Sequence, residues 1–337
     1  MNIIKVKSLP INEVLENIAS QLGGSVKNEC EVYRYEIPEL HGEGTIQGVN
    51  FPNGLAWLQY DCKFYDATEI RFTVNEVHPL KLLYNLSDDF THSFEGEEET
   101  HKASQFQNLI VAGKENNGHI LNFKRNKQIR LNSVEIDRHK FKQQLSCDVN
   151  TIESGLKDAV TDCDASTQHY FEGPYTLRIA NIFQTIESFS YTAFIRKMFL
   201  ASKTYEILAI QLLDYSDSLK DGEMQKVDHK LMQDIEQLVT TDFKQYGTVR
   251  AISTKLKVPE PRLQKFFNKH YNATGNKYLK QRRMNLIVEL LEETSLSIAE
   301  ISKLVGIDSV SYLSKLFRER FKVSPNEYRN KGANKYI

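Results

Sequence analysis

The spacing of apolar residues changes near residue 150 of this 337-residue chain. Between about 26 and 146, apolar and polar residues alternate, and this period of two is typical of half-buried strands. Beyond 150 the apolar residues recur every three or four positions, as they do on one face of a helix. The change predicts an α+β chain with a β-rich first part and an all-α last part. The alternating runs lie at 58–64, 70–74, 80–86, 106–111, 119–124 and 129–136.

Turn signals divide the β-rich part into many short strands, as in a sandwich or barrel. The Asn-Gly pairs at 53–54 and 117–118 are predicted hairpin centres, because both residue types tolerate positive φ. The polar, acidic segment 87–105 is predicted to be a loop. Trp57 lies on the opposite strand face from Leu58, and the alternation leaves open whether it lines a lumen or covers a loop.

Residues 192–215 are predicted to form one long amphipathic helix. Its broad apolar face packs either into the core or against a second copy of the chain, and the sequence leaves both open. The following polar segment, 214–230, contains Gly222 and is predicted to be a linker. The apolar residues of the helix are Phe194, Ile195, Met198, Phe199, Tyr205, Leu208, Ala209, Leu212 and Leu213.

The charge of the chain is divided unevenly, although the formal net charge is only −1. Residues 228–337 contain 20 Lys and Arg against 12 Asp and Glu, a net charge of +8. Residues 1–227 carry a net charge of −9. This asymmetry favours a polyanion as the partner of the last third. We therefore predict a β-rich sensory domain at 1–150, a helical connector at 151–227 and a DNA-binding domain at 228–337.

Two helix-turn-helix patterns lie in the last third, and the first spans 248–271. Thr248 is the predicted N-cap, and a tight turn follows at 257–259. Leu263 and Phe267 lie four residues apart and are predicted to face inward. The other residues of the second helix then face outward as candidate DNA contacts, namely Arg262, Gln264, Lys265, Asn268 and Lys269.

The second pattern spans 297–321. Ser297 with Glu300 has the spacing of a capping box, Gly306 is expected to take positive φ in the turn, and Asp308 is the predicted cap of the next helix. In that helix Leu313, Phe317 and also Tyr312 are predicted to face inward. The predicted outward-facing DNA contacts are Ser309, Ser311, Ser314, Lys315 and Arg318.

A helix of roughly 17 residues is predicted between the two patterns, and it would be about 26 Å long. It has the length to hold two recognition helices near successive major-groove segments, which lie about 34 Å apart. Arg282 and Arg283 on this helix have two open interpretations, since each side chain can meet phosphate or cap internal carbonyl groups.

The last hundred residues resemble the AraC/XylS family of bacterial transcription regulators. Asn272 and Lys322 depart from the pattern, since the family often has glycine there. Residues 170–212 also resemble the segment that precedes the DNA-binding domain in PchR-type members. The matching residues are Ile301, Val305, Gly306, Ile307, Ser311, Tyr312, Phe317, Ser324, Pro325, Tyr328 and Arg329, with Leu263, Phe267, Tyr278, Leu279 and Arg283 in the first pattern.

The resemblance implies a sequence-specific transcription regulator, activator or repressor, that binds double-stranded operator or promoter DNA. It also implies a cupin-like sensory domain for a small-molecule effector, with siderophores as the class sensed by PchR-type members. We expect a cytoplasmic homodimer that joins through residues before 228, and RNA polymerase as a further partner. A regulator that works without a ligand remains an open alternative.

A metal-dependent enzyme of the cupin type is the other alternative. We predict that the chain is not an enzyme and binds neither metal nor cofactor, because its nine histidines include no HxH pair and no phosphate-binding loop is present. His92 and His101 flank the acidic stretch of the predicted loop. The four cysteines form no CxxC pair and are expected to be reduced.

Overall fold

The computed structural model describes residues 2–7, 10–73, 77–115, 117–144, 154–175, 178–187, 192–218, 222–271, 273–321 and 323–331. The chain divides into two compact units. The first, called the β-domain below, comprises Met1–Ile186 and Tyr191–Asp221. The second, called the helical domain, comprises Glu187–Ser190 and Gly222–Ile337. The division that we predicted at 150 and 227 stays a prediction.

The described strands all lie in the β-domain. They are β1 (Asn2–Val6), β2 (Val26–Glu29), β3 (Val32–Glu36), β4 (Gly42–Asn50), β5 (Leu55–Phe64), β6 (Thr68–Phe72), β7 (Leu80–Asn85), β8 (Phe90–Phe94), β9 (His101–Ala103), β10 (Gln107–Ala112), β11 (His119–Phe123), β12 (Gln128–Ile136) and β13 (His169–Tyr175). All six runs of alternating residues therefore contain a strand, which confirms the β-rich prediction for this part of the chain.

The strands form two sheets. The larger has eight strands in the order β13-β10-β7-β12-β5-β4-β3-β2, and the smaller has five in the order β1-β6-β11-β8-β9. All neighbours pair antiparallel except β1 and β6, which are parallel. Strand β13 lies beyond residue 150 and extends the larger sheet next to β10.

Two turn predictions are wrong. The segment 87–105 is not a single loop, because it contains β8 and β9, which pair with His92 opposite His101. The Asn-Gly pair at 117–118 is not a hairpin centre, since β10 and β11 belong to different sheets. The pair at 53–54 does lie in the turn that joins the antiparallel strands β4 and β5, and Gly54 has a φ of 82°.

Core residues lie on both faces of the larger sheet. On β5, Leu58 and Tyr60 belong to a core shared by the two sheets, whereas Leu55 and Trp57 belong to a second core on the opposite face. Trp57 therefore neither lines a lumen nor covers a loop, since it packs beneath helices. The helices of the β-domain are α1 (Ile11–Leu22), α2 (Arg138–Gln144), α3 (Ser154–Thr161), α4 (Arg178–Glu187) and α5 (Ala193–Ser218).

Helix α1 is an element that the sequence analysis did not predict. Its buried residues recur at positions 11, 14, 15, 18, 19 and 22 and join the core between the sheets. The predicted long helix at 192–215 is confirmed as α5. Its apolar residues divide between two faces, because Leu208 is buried in the second core whereas Met198 and Tyr205 are more than half exposed.

The described part of the helical domain contains only helices, which confirms the all-α prediction. They are α6 (Gly222–Thr241), α7 (Phe243–Tyr246), α8 (Val249–Leu256), α9 (Glu260–Tyr271), α10 (Gly275–Glu293), α11 (Ile298–Leu304), α12 (Val310–Phe321) and α13 (Pro325–Lys331). The linker prediction for 214–230 is wrong over most of its length, since α5 continues to Ser218 and α6 begins at Gly222. Helix formers such as Glu, Met, Gln and Lys make a polar helix hard to distinguish from a linker by sequence.

Among the described helices, none combines the length and the apolar character required to cross a bilayer. Cys30, Cys62 and Cys163 are free thiols, while Cys147 lies outside the described residues. Asn272 and Lys322, which depart from the family pattern, also lie outside them.

Candidate nucleic-acid interface

Helices α8 and α9 form the first helix-turn-helix unit. The Thr248 hydroxyl accepts a hydrogen bond from the Ala251 amide at 3.2 Å and caps α8, as the sequence predicts. The chain turns through Lys257, whose φ of 55° is left-handed. Leu263 and Phe267 are fully buried, which confirms the inner face of α9.

The opposite face of α9 contains the five predicted DNA contacts. Arg262, Lys265, Asn268 and Lys269 are exposed, and Gln264 is half-buried. The Gln264 amide donates to Asn268 Oδ1 at 3.3 Å, and its oxygen accepts from the Gly275 amide at 3.4 Å. Gln264 is therefore held by the protein, whereas Arg262 and Lys265 project from the same helical face three residues apart.

Helices α11 and α12 form the second unit. Its predicted capping box is present, because the Glu300 amide donates to Ser297 Oγ and the Ser297 amide donates to Glu300 Oε2. Gly306 has a φ of 68° in the turn, as expected. The predicted cap at Asp308 is wrong. Ser309 caps α12 instead, since its hydroxyl accepts from the Tyr312 amide at 3.3 Å.

Helix α12 buries Leu313 and Phe317 completely, which confirms two of its three predicted inner residues. Tyr312 is 54% exposed, so the prediction that it faces inward is wrong. Val310 is 41% exposed and lines a shallow surface groove together with the predicted contact residues. Those contacts are exposed or half-buried, and they are Ser311, Ser314, Lys315 and Arg318.

Tyr312 and Val310 extend the candidate interface beyond the residues that we predicted. Both are exposed neighbours of Ser311 on α12. A helical wheel drawn from Leu313 and Phe317 places Tyr312 about 120° from the middle of the inner face. The period of this helix therefore already indicates an outward position for Tyr312.

Arg283 joins the two units from inside the domain. Its Nε donates to the Val305 carbonyl at 3.0 Å, next to the turn of the second unit. Its Nη2 donates to the Gly247 carbonyl at 3.2 Å, just before the first unit. Burial lowers the pKa of the guanidinium. Of the two interpretations that the sequence left open for Arg283, the structure shows the internal carbonyl cap.

A carboxylate on α6 forms the second internal brace. Glu236 accepts hydrogen bonds from the hydroxyls of Tyr278 and Tyr271, the latter at 3.4 Å. Arg282 Nε lies 3.6 Å from the same carboxylate, so Arg282 also makes an internal contact. Burial, together with Glu236, raises the pKa of Tyr278 well above its usual range. Helix α6 is thereby tied to the junction of α9 and α10.

Asp228, nearly two turns after the start of α6, reaches the end of α9. His270 Nε2 lies 2.9 Å from its Oδ2, and Lys269 Nζ lies 3.3 Å from the same atom. Burial alone would raise the pKa of the Asp228 carboxyl, but the hydrogen bond and charge of His270, aided by Lys269, lower it below its ordinary value. Lys269, a predicted DNA contact, is therefore already paired with an acid.

The turn of the second unit is held by a buried hydroxyl. Ser302 is fully buried, and its Oγ donates to the Ile307 carbonyl at 2.5 Å. The Ile307 amide donates in turn to the Ser302 carbonyl at 2.9 Å. The two bonds close the turn around Gly306 and fix where α12 begins.

Four cations remain available at the candidate interface. Arg262, Lys265, Lys315 and Arg318 form no ion pair with any residue that the structure describes. They occupy the outer faces of α9 and α12, the second helices of the two units. A polyanion is the chemical partner that such unpaired surface cations suit.

Known protein families match both parts of the chain. The model described as a helix-turn-helix domain matches residues 252–331, and the model described as the N-terminal domain of the regulatory protein PchR matches residues 43–226. The chain is 29% identical over 143 residues to the Msm operon regulatory protein of Streptococcus mutans, a match that covers 42% of this chain and 50% of that protein.

The lactose operon transcription activator of Staphylococcus xylosus is 27% identical over 175 residues, covering 50% of this chain and 61% of the relative. The chain therefore spans 50% and 61% of the length of these two relatives. A solved C-terminal domain of the two-component response regulator yesN from Fusobacterium nucleatum is 29% identical, with a TM-score of 0.27. That alignment covers 31% of this chain and 98% of the other.

The PchR N-terminal model alone covers more than half of the chain, and the helix-turn-helix model extends from within α8 to the end of α13. The chain belongs to the AraC-type transcriptional regulators, with the N-terminal domain of the PchR kind.

Proposed function

We propose that the chain regulates transcription by binding double-stranded operator or promoter DNA through the outer faces of α9 and α12. One observation carries the proposal. Each of the two helix-turn-helix units presents unpaired cations on its second helix, and Arg283 joins both units by charged hydrogen bonds. Two linked helix-turn-helix units of this kind bind a longer DNA site than either unit alone.

The contacts divide into base-reading and phosphate-binding groups. Arg262 and Lys265 have the donors that pair with guanine O6 and N7, and Gln264 can pair with adenine once it releases Asn268. Lys315 and Arg318 suit phosphate, which positions the protein without reading sequence. Ser311 and Ser314 suit either group. Ser309 keeps its hydroxyl hydrogen for a phosphate while it caps α12.

The length of α10 suits two neighbouring grooves. Its 19 residues make it about 28 Å long, close to the roughly 34 Å that separates successive major-groove segments on one face of the duplex. We propose that each second helix enters one of these segments.

Replacing Arg262 tests this proposal. Arg262→Ala should weaken binding to the cognate operator by roughly 1–3 kcal/mol and leave binding to scrambled DNA almost unchanged. Selection from random DNA supplies the operator, and fluorescence anisotropy measures the affinity. Lys230→Ala, an exposed cation on α6, is the matched control. An equal loss on both DNAs would assign Arg262 to phosphate, and no loss on either would remove α9 from the interface.

We propose that the β-domain is a cupin-like sensory domain for a small-molecule effector, with siderophores as the first class to test. Its two facing sheets and the match to the PchR N-terminal domain support this role. An effector present at 100 times its Kd should stabilise the domain by about 2.7 kcal/mol. A thermal-shift screen with iron–siderophore complexes, sugars and aromatic acids measures this. No shift with any class would favour a regulator that works without a ligand.

We propose that the chain forms a homodimer through α5, within the connector at 151–227. This helix exposes a stripe of large apolar side chains, which are rarely left exposed without a partner. Met198→Lys should then shift the sedimentation coefficient from dimer to monomer, whereas Ser20→Lys, at an exposed position on α1 outside the proposed interface, should leave the dimer intact. A monomeric native chain would contradict the dimer. The stripe comprises Phe194, Ile195, Met198, Tyr205 and Leu213.

The remaining partners follow from DNA binding. A regulator of promoters works in the cytoplasm and meets RNA polymerase there, and we propose both for this chain. We propose no enzymatic role. We also propose that residues 1–150 act as the sensory domain, residues 151–227 as the connector and residues 228–337 as the DNA-binding domain.

A further inference from the structure

The second helices of the two helix-turn-helix units can be compared position by position. Each has 12 residues and buries its fourth and eighth residues completely. Those residues are Leu263 and Phe267 in α9, and Leu313 and Phe317 in α12. Because the same two positions face inward in both helices, the other positions are also equivalent, and their chemistry can be compared directly.

The first five residues of α9 offer charged and amide groups to a partner. Glu260 and Arg262 are exposed at the first and third positions, and Gln264 is half-buried at the fifth. A guanidinium pairs with the O6 and N7 atoms of guanine, and an amide pairs with the N6 and N7 atoms of adenine. The start of α9 is therefore suited to form hydrogen bonds with purine edges.

The first five residues of α12 contain neither a charge nor an amide side chain. Val310, Tyr312 and Ser314 stand at the first, third and fifth positions. Lys315 and Arg318 follow only at the sixth and ninth positions. The start of α12 therefore lacks the long hydrogen-bonding side chains with which α9 can recognise a purine.

Val310 is the apolar group best placed to touch a base. The first residues of a recognition helix contact base edges in the major groove, and Val310 is the first residue of α12. It is 41% exposed and lines the shallow groove of this helix together with Ser314 and Lys315. Tyr312 lies outside that groove. The major groove of DNA offers one apolar feature to such a side chain, the C5-methyl group of thymine.

We propose that Val310 reads the C5-methyl group of a thymine, whereas α9 reads purines by hydrogen bonds. This role rests on the proposed DNA binding and specifies the bases. Lys315 and Arg318 hold the start of α12 against the base edges by binding phosphate, since such contacts fix the register of a protein on the duplex. The operator then consists of two chemically different segments, one with a purine read by α9 and one with a thymine read by α12.

Deoxyuridine tests the role of Val310, because it pairs like thymine but lacks the methyl group. The operator is selected from random DNA with the native full chain, and each thymine is then replaced in turn. At one thymine the native chain should lose about fourfold in affinity, the effect of losing one buried methyl group. Val310→Ser should bind the thymine and deoxyuridine operators about equally. Leu304→Ala, which shortens a 49% exposed apolar side chain on α11, is the matched control and should keep the fourfold difference.

Two results would overturn the thymine contact of Val310. One is an operator in which no thymine responds to deoxyuridine. The other is a loss that persists in Val310→Ser, since another residue would then contact the methyl group. Both results leave the proposed DNA-binding function intact, because the native chain has bound the operator. Failure to select any DNA would overturn the function and the thymine contact together.

A second selection changes the side chain instead of the base. Val310→Arg places a guanidinium at the start of α12, and this group pairs with guanine. Selection from random DNA should therefore recover a G·C pair where the native chain takes the T·A pair, while the segment read by α9 stays the same. Recovery of the native operator by Val310→Arg would also overturn the contact.

Discussion

The two helix-turn-helix units have second helices of equal length but are stabilised differently. Helices α9 and α12 each have 12 residues. The first unit is held from outside, by Asp228 and Glu236 on α6. The second unit is held from within, by its capping box and by the bond from Ser302 across its own turn. Only Arg283 serves both among the contacts described above.

This difference shows where a structural change could alter the helical domain. A contact inside a turn changes only if that unit unfolds. The contacts of the first unit depend on the position of α6, the helix with which the helical domain begins after residue 221. We therefore expect the first unit to respond to changes in α6 and the second unit to be insulated from them.

Removing the guanidinium of Arg283, which bonds to both units, should lower the stability most. Arg283→Met deletes two charged hydrogen bonds, each typically worth about 1.5–3 kcal/mol when the acceptor remains buried, so we expect a loss of at least about 2 kcal/mol. Hydrogen exchange should increase in both α9 and α12. Arg262→Met, which removes an exposed guanidinium, is the control and should leave exchange unchanged. An increase in one unit alone would show that Arg283 does not couple them.

Neutralising the carboxylate on α6 should affect only the first unit. Glu236→Gln weakens the acceptor of two tyrosine hydroxyls and removes the charge that pairs with Arg282, for an expected loss of about 1–2 kcal/mol. Hydrogen exchange should increase in α9 and α10 and stay constant in α11 and α12. Glu260→Gln, an exposed acid at the start of α9, is the matched control. Equal increases in both units would refute the proposed insulation.

Removing the turn hydroxyl should affect only the second unit. Ser302→Ala leaves the Ile307 carbonyl without its side-chain donor, so we expect a loss of about 1 kcal/mol. Exchange should increase around the turn at Gly306 and not in α8 or α9. Ser297→Ala provides a comparison in the same unit, because it removes the exposed cap instead of the buried bond. Unchanged stability in Ser302→Ala would mean that the hydroxyl does not hold this turn.

The smallest effect should depend on pH. The pKa of Asp228 is lowered in the folded chain, so its contribution is complete above the ordinary value of about 3.9 and is lost as pH falls through the lowered folded pKa. Asp228→Asn should cost about 1 kcal/mol or less at neutral pH. The native chain and the variant should converge in stability as the pH falls through the lowered pKa of folded Asp228. A difference that stays constant as the pH is lowered would rule out this ion pair as the cause.

Local signals predicted most of the helical domain. The capping box of Ser297 and Glu300, the positive φ of Gly306 and the buried pair Leu263 and Phe267 depend on residues within a few positions of each other. Ser309 caps α12 in place of the predicted Asp308, which shows the limit of such local signals. Both residue types cap helices, and the fold decided which one precedes the first turn.

Local sequence signals predicted less of the β-domain. The buried positions of α1 have a clear helical period, and this helix was available from the sequence although it was not predicted. Strands β8 and β9 lie in an acidic segment where charge conceals the alternation. The register that places His92 opposite His101 joins residues nine positions apart across an acidic turn, so polarity alone suggested a loop.

The sequence by itself determined the fold class, the two helix-turn-helix units, the outer faces of their second helices and the division of charge. Each of these depends on the period, chemistry or count of residues that are close along the chain. The tertiary structure decided the roles of Arg283 and Glu236. Their partners lie from 22 to 46 residues away along the chain of the helical domain. Contacts over such separations exist only after packing has brought the segments together, and no local period records them.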